Sequence, residues 1–187
     1  MADTSNVYIA TPDYPEGTFH KAPLGTALPT DAVADLAAAY VDLGFVGEDG
    51  YGYNITRDSS DIKAFGGDDV ANAQTNYGEE LTVTLLESAN ADVLKVVFGD
   101  SNVTVAGDNV TVKRNKKALP RQVFVVDTVG QDGGFRRLVL PIGQVTGVGE
   151  VTYVHTDIIK YQLTIKAYPD TSGNCSYEHI AKADSGS

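Results

Sequence analysis

Four carboxylates, Asp58, Asp61, Asp68 and Asp69, fall within the short stretch DSSDIKAFGGDD. Oxygen ligands at that density are what a hard cation such as calcium takes. Their spacing departs from the calcium-loop pattern, so a site would need the four to converge in space. The glycine pair Gly66 and Gly67 raises a phosphate loop as a second chemistry. GGDDVANAQ lacks the lysine and the following hydroxyl that such a loop needs, and its carboxylates repel phosphate. The stretch therefore reads as a strand end and a turn. Ile62 and Phe65 pack, the glycines supply backbone freedom, and Asp68 and Asp69 carry surface charge.

Other reactive side chains are scattered. His20, His155 and His179 lie far apart, and Cys175 has no base near it in sequence. There is no nucleophile elbow, no HExxH zinc helix and no cysteine pair for zinc. Carboxylate pairs such as Glu79-Glu80 carry little weight in a chain with 25 acidic residues. The expectation is a protein that is not an enzyme, with no cofactor and no metal.

Charge excludes a further class. Residues 1–112 hold 18 acidic and 4 basic side chains, and residues 113–187 hold 7 and 10, giving −14 and +3 and a total of −11. A chain this acidic does not grip nucleic acid by its phosphates. KRNKK, with Lys113, Arg114, Lys116 and Lys117, is the basic cluster, and it is a candidate patch for meeting an acidic surface of a neighbouring subunit. No run of about 18 apolar residues exists, so no membrane contact is expected. One cysteine cannot form an internal disulfide.

The elements that must position these residues are mostly strands. Residues 1–29, broken by Pro12, Pro15, Pro23 and Pro29, read as an extended arm carrying enough apolar side chains to dock. Thr30 and Asp31 suggest the start of a short helix. Val41 to Val46 and Tyr53 to Asp58 alternate in strand fashion, with EDGYG as the turn of a hairpin. In ELTVTLLE, Leu81, Val83 and Leu85 face one way, and Glu80, Thr82 and Thr84 the other. SANADVLKVVFGD predicts a helix near 90–98, capped by Asn90 or Ser88 and stopped by Gly99, with Val93, Val96 and Val97 as its apolar stripe. NVTVAGDNVTV reads as a hairpin, RQVFVVDTV and FRRLVLPIG as two strands across GQDGG, and GEVTYVHTDIIKYQLTIKAYP as a last strand or pair. Residues 169–187 read as a flexible tail. The fold class is mainly β, a sandwich or barrel-like pair of packed antiparallel sheets over 30–168 with one flanking helix.

Four segments agree in order and spacing with one family. YVDLGFVGEDG (Tyr40 to Gly50), DIKAFGG (Asp61 to Gly67) and LTVTLLESANADVLKVVFGDSNVT (Leu81 to Thr104), led in by GTFHKAPLGTALPTDA, resemble the major tail protein, the tail tube subunit, of long-tailed phages that infect actinobacteria. The resemblance covers roughly residues 17–104. It implies two packed sheets, six subunits to a ring, and inner sheets joined into one continuous β-barrel. It further implies rings stacked into a virion tail tube, assembled in the host cytoplasm, around a tape-measure protein and ending on tail-end proteins. DNA would pass through without tight binding. On that reading Glu80, Thr82, Thr84 and Asp42 are candidates to face water or an acidic lumen. Glu48, Asp49 and Tyr51 are candidates for an inter-ring loop, and Lys113, Arg114, Lys116 and Lys117 for the inter-subunit basic patch. Two other readings remain open: a monomeric carbohydrate-binding sandwich presenting Tyr51, Tyr53, Phe65 and Tyr77, and another virion structural protein.

Overall fold

A computed structural model of the chain describes residues 6–13, 17–131 and 133–183. Residues 1–5 and 14–16 of the arm expected at 1–29, and residues 184–187 of the tail expected at 169–187, lie outside them. Among the described residues eleven strands form two antiparallel sheets, one of nine strands and one a hairpin. The large sheet does not close into a barrel.

Its centre is a pair of largely buried strands. β8 (Arg121–Gly130) pairs with β9 (Phe135–Val148), joined by a turn in which Gly133 N donates to Gly130 O. Eight of the ten β8 residues are buried, as befits a strand covered on both faces. Pro141 can sit in β9 because the register slips there: Gln122 faces Gly143 while Phe124 faces Leu140. Such a bulge is where a strand tolerates a residue without an N–H.

Each outer edge of this pair is shared by two shorter strands. β1 (Ala10–Pro12) and β2 (Phe19–Pro23) follow one another along β8. Both come from the segment read as an arm, and Phe19 is fully buried with its ring stacked on Phe124. On the far edge of β9 lie β10 (Tyr161–Ala167) and β11 (Tyr177–Ala181). β11 falls within the segment expected to be a flexible tail. Its five residues pair with Phe135 to Val139, so backbone hydrogen bonds order a sequence with little apolar content.

β10 continues the sheet to β5 (Asp69–Leu85) and then to β4 (Val46–Lys63). The expected alternation is present: Leu81, Val83 and Leu85 on β5 and Tyr161, Leu163 and Ile165 on β10 are buried. β3 (Val41–Asp42) pairs with β2, and the chain then crosses to β5, with Leu43 N donating to Phe19 O and Leu86 N to Phe45 O. This crossing corrects one expectation. Residues 41–46 do not form a hairpin with 53–58. The partner of β4 is β5, and EDGYG lies inside β4.

α1 (Ala91–Phe98) packs over one face of the core with the small sheet of β6 (Val103–Ala106) and β7 (Asn109–Val112). The Asn90 side chain accepts from Asp92 N, Gly99 takes a positive φ past the last turn, and Val93, Val96 and Val97 are buried as their spacing predicts. The Phe98 ring meets Tyr161 edge-on at 5.8 Å. The helix expected at Thr30 is absent. Asp31 does accept from Val33 N and Ala34 N in the manner of a cap, but the carbonyls of Asp31 and Ala34 accept from Arg137 Nη1 at 3.2 and 2.8 Å. A helix would need those carbonyls for its own turns.

Candidate assembly surface

β4 and β5 are three times the usual strand length, and only their lower halves belong to the core. Every residue from Arg57 to Tyr77 except Ala64 is exposed. The ribbon therefore projects roughly 35 Å beyond Tyr53 and Leu81 at the rise of an extended strand. Side chains from one strand reach across to the other to hold it. Lys63 Nζ donates to Asp69 Oδ1 at 2.6 Å, Asn72 Nδ2 to Asp61 Oδ1 at 2.6 Å, and Asn76 Nδ2 to Asp58 Oδ2 at 3.1 Å. The Arg57 guanidinium lies 4.5 Å from the Tyr77 ring centre. Asp58, Asp61, Asp68 and Asp69 are thus spread along the ribbon and its tip rather than gathered around one cation. Among the described residues no three metal-ligating side chains come together.

The tip is the turn at 64–68, where Ala64 N donates to Asp68 O and Gly67 N to Ala64 O. Gly66 and Gly67 both take positive φ, 117° and 102°, which only glycine adopts at low cost. Phe65 does not pack. Its side chain stands free in solvent, with Ile62 and Val70 exposed behind it.

At the root of the ribbon sits Glu79, 5 % exposed. The hydroxyls of Tyr53, Tyr77 and Ser176 all donate to its carboxylate. Burial pushes this acid up, but the three donors outweigh it and hold Glu79 below the usual carboxylate range. Burial and the bonded carboxylate together drive the Tyr53 hydroxyl well above its ordinary value. The arrangement ties the chain near Cys175 to the start of the ribbon. The Cys175 thiol is raised too, chiefly by burial, so it stays protonated and weakly nucleophilic.

The remaining expected residues fall in four places. Glu80, Thr82 and Thr84 share the face of the sheet opposite the core, in register with Lys166, Thr164 and Gln162 of β10. That face is polar, with Glu80 opposite a lysine. Asp42 is not with them; it lies on β3 beside His20. Glu48 and Asp49 are in a bulge rather than a loop, and Tyr51 is the first paired residue after it. Val46 faces Leu85 and Tyr51 faces Val83, so residues 47–50 stand opposite Thr84 alone, and Gly50 takes φ 66°. The bulge and β1 enclose a hollow with Glu48 and Asp49 on its rim. Lys113, Arg114, Lys116 and Lys117 form an exposed loop after β7, in which the Arg114 guanidinium lies 5.1 Å from the Phe98 ring centre.

No catalytic constellation assembles from the histidines. His155 is exposed and His179 lies on β11 opposite Arg137. His20 Nδ1 is 4.0 Å from Asp127 Oδ2, but that carboxylate is gripped by Arg137 through Nε at 2.6 Å and Nη2 at 3.2 Å. Arg137 in turn holds the 31–34 backbone, so this buried pair, absent from the sequence reading, fastens an irregular segment to the sheet. The signal that could have found it is Asp127, set just after the apolar run of β8 and opposite Arg137 across the GQDGG turn.

Comparison with known proteins agrees with a structural role. A family model described as "Phage tail tube protein" matches residues 2–185, and the chain belongs to that family, a structural protein of the phage virion tail. No curated protein matches it. Among solved structures it is similar to the anti-feeding prophage cap, the tube-terminating cap, at 11% identity over 97% of this chain and 100% of that one, with a TM-score of 0.48.

Proposed function

We propose that this tail tube protein is the major subunit of a long, non-contractile tail, and that its copies close into six-membered rings which stack into a tube. The observation that carries the reading is the β4–β5 ribbon. A two-stranded hairpin is marginal in water by itself, and this one leaves Ile55, Ile62, Phe65, Val70 and Tyr77 exposed. A second copy would complete it. The open sheet supports the same conclusion, since unpaired edges invite strand addition and a head-to-tail contact that closes makes a ring.

In the assembled ring the face bearing Glu80, Thr82 and Thr84, with Gln162 and Thr164, would line the channel. A wall of hydroxyls and amides, with Glu80 beside Lys166, offers phosphate no cluster of cations to bind. The −14 net charge of residues 1–112 adds longer-range repulsion. DNA could then slide past, after a tape-measure protein has occupied the same channel during assembly between tail-end proteins. The bulge with Glu48 and Asp49, and Tyr51 just after it, would face the neighbouring ring.

Negative-stain electron microscopy of the purified protein over rising concentration, paired with light scattering, tests this. Rings or tubes with a central hole are expected. Monomers at every concentration, even after seeding with tail tips, would overturn the reading in favour of a monomeric binding sandwich.

A further inference from the structure

The proposed tube leaves open where the ribbon of one copy lands on another. Resting on that reading, we propose that the tip inserts Phe65 into the groove between α1 and the 113–119 loop of a second copy, with acidic residues of the tip meeting the basic loop.

The tip is built as an anchor. Its turn is fixed by two backbone hydrogen bonds, so little ordering remains to be done on docking. Phe65 projects from it fully exposed, and around Gly66 and Gly67 there is open space for a close approach. Residues 58–69 carry four carboxylates and one lysine, a net of −3. An aromatic in a charged rim is the composition of an interface hot spot.

The groove is the matching half. It has a volume of about 360 Å³, with Phe98, Leu119, Val145 and Val148 on its walls and Arg114 and Lys117 at its mouth. Residues 109–126 contain five basic side chains and no acidic one. The other large hollows suit the tip badly. The one beside β1 is rimmed by Glu48 and Asp49, and the one over Arg137 by Asp13, Asp35 and Asp42, so an acidic tip would be repelled from both; a third, of about 470 Å³ beside β7, is apolar but carries Asp108 and no cation to meet the tip's carboxylates.

The test uses full-length protein and follows the concentration at which assemblies appear. Phe65→Ala, at an exposed position, should leave the melting temperature unchanged and raise that concentration about tenfold, the effect of losing one anchor worth about 1.4 kcal/mol. Asp61→Lys with Asp68→Lys should block assembly, as should Lys116→Glu with Lys117→Glu. Mixing the two charge-reversed proteins, or combining the changes in one chain, should restore it. In a Phe65→Cys, Val148→Cys chain, oxidation of the tube should link neighbouring copies through those two positions. If wild-type tubes form and Phe65→Ala assembles equally well, or the reciprocal charges fail to rescue, this docking site is wrong while the tube reading stands. If the wild-type protein forms no assembly under any condition, both fall.

Discussion

Ser176 Oγ donates to Glu79 Oε2 at 2.6 Å across 97 residues of sequence. With Tyr53 and Tyr77 on the same carboxylate, this bond fastens the C-terminal segment to the root of the ribbon.

Glu79→Gln keeps the size but replaces two acceptor oxygens by one and leaves a hydroxyl unmatched. At pH 7 the loss should be about 1–3 kcal/mol, or roughly 2–10 °C in melting temperature for a chain of this size. The pH dependence has a definite sign. Glu79 is held below its ordinary value of 4.5, so its contribution is present above that pH and disappears as the pH falls through the lowered value. Melting curves of both proteins from pH 7 down to 3 should therefore converge at the acid end. A gap of constant size across that range would show that the carboxylate charge plays no part.

A second consequence concerns the core. A Cβ added at Gly143 would lie 2.5 Å from Phe124 Cδ2 and 3.1 Å from Ile165 Cγ2. Gly143 thus lets β9 pass close against the ring that stacks on Phe19. Gly143→Ala should cost about 1–3 kcal/mol by overpacking. Phe124→Leu alone should also destabilise, but adding it to Gly143→Ala should cost less than the two single losses together. Chemical denaturation of the four proteins checks this, and strict additivity would mean the two residues do not crowd each other.

What could be read from the sequence follows from how strongly each segment declares a period. Leu81, Val83 and Leu85 declare period two, and Val93, Val96 and Val97 a helical stripe between an Asn cap and a Gly stop. These elements match their expected positions. β4 was illegible as one strand because Gly47, Asp49, Gly50 and Gly52 spell a turn, and they do bend the chain, but as a bulge inside a pairing already set by β5. The upper ribbon has polar residues on both faces and so gives no alternation to detect. β11 owes its order to the free edge of β9, which no local pattern reveals. The sequence predicts a packed Phe65, and the side chain is instead exposed. Its surroundings in sequence are those of any turn, and only the reach of the two long strands places it out in solvent.

The ribbon also predicts a separation of folding from assembly. Arg57 and Tyr77 face each other in register, and everything between them is exposed apart from Ala64. Replacing residues 58–76 by Asn-Gly would join this pair through a two-residue turn whose twist suits antiparallel strands. Phe19, Phe124, Leu81, Leu163 and the helix stripe keep all their contacts, because none of them touches the deleted part. The shortened chain should therefore melt within about 2 °C of the parent, since exposed residues contribute little to stability. It should stay monomeric in light scattering at concentrations where the parent builds tubes, and should not be incorporated into parent tubes when mixed in. A shortened chain that still polymerises would move the driving contact from the ribbon to the sheet edges. One that fails to fold would show that the polar ladder of Asn72, Asp61 and Lys63 stabilises the subunit itself.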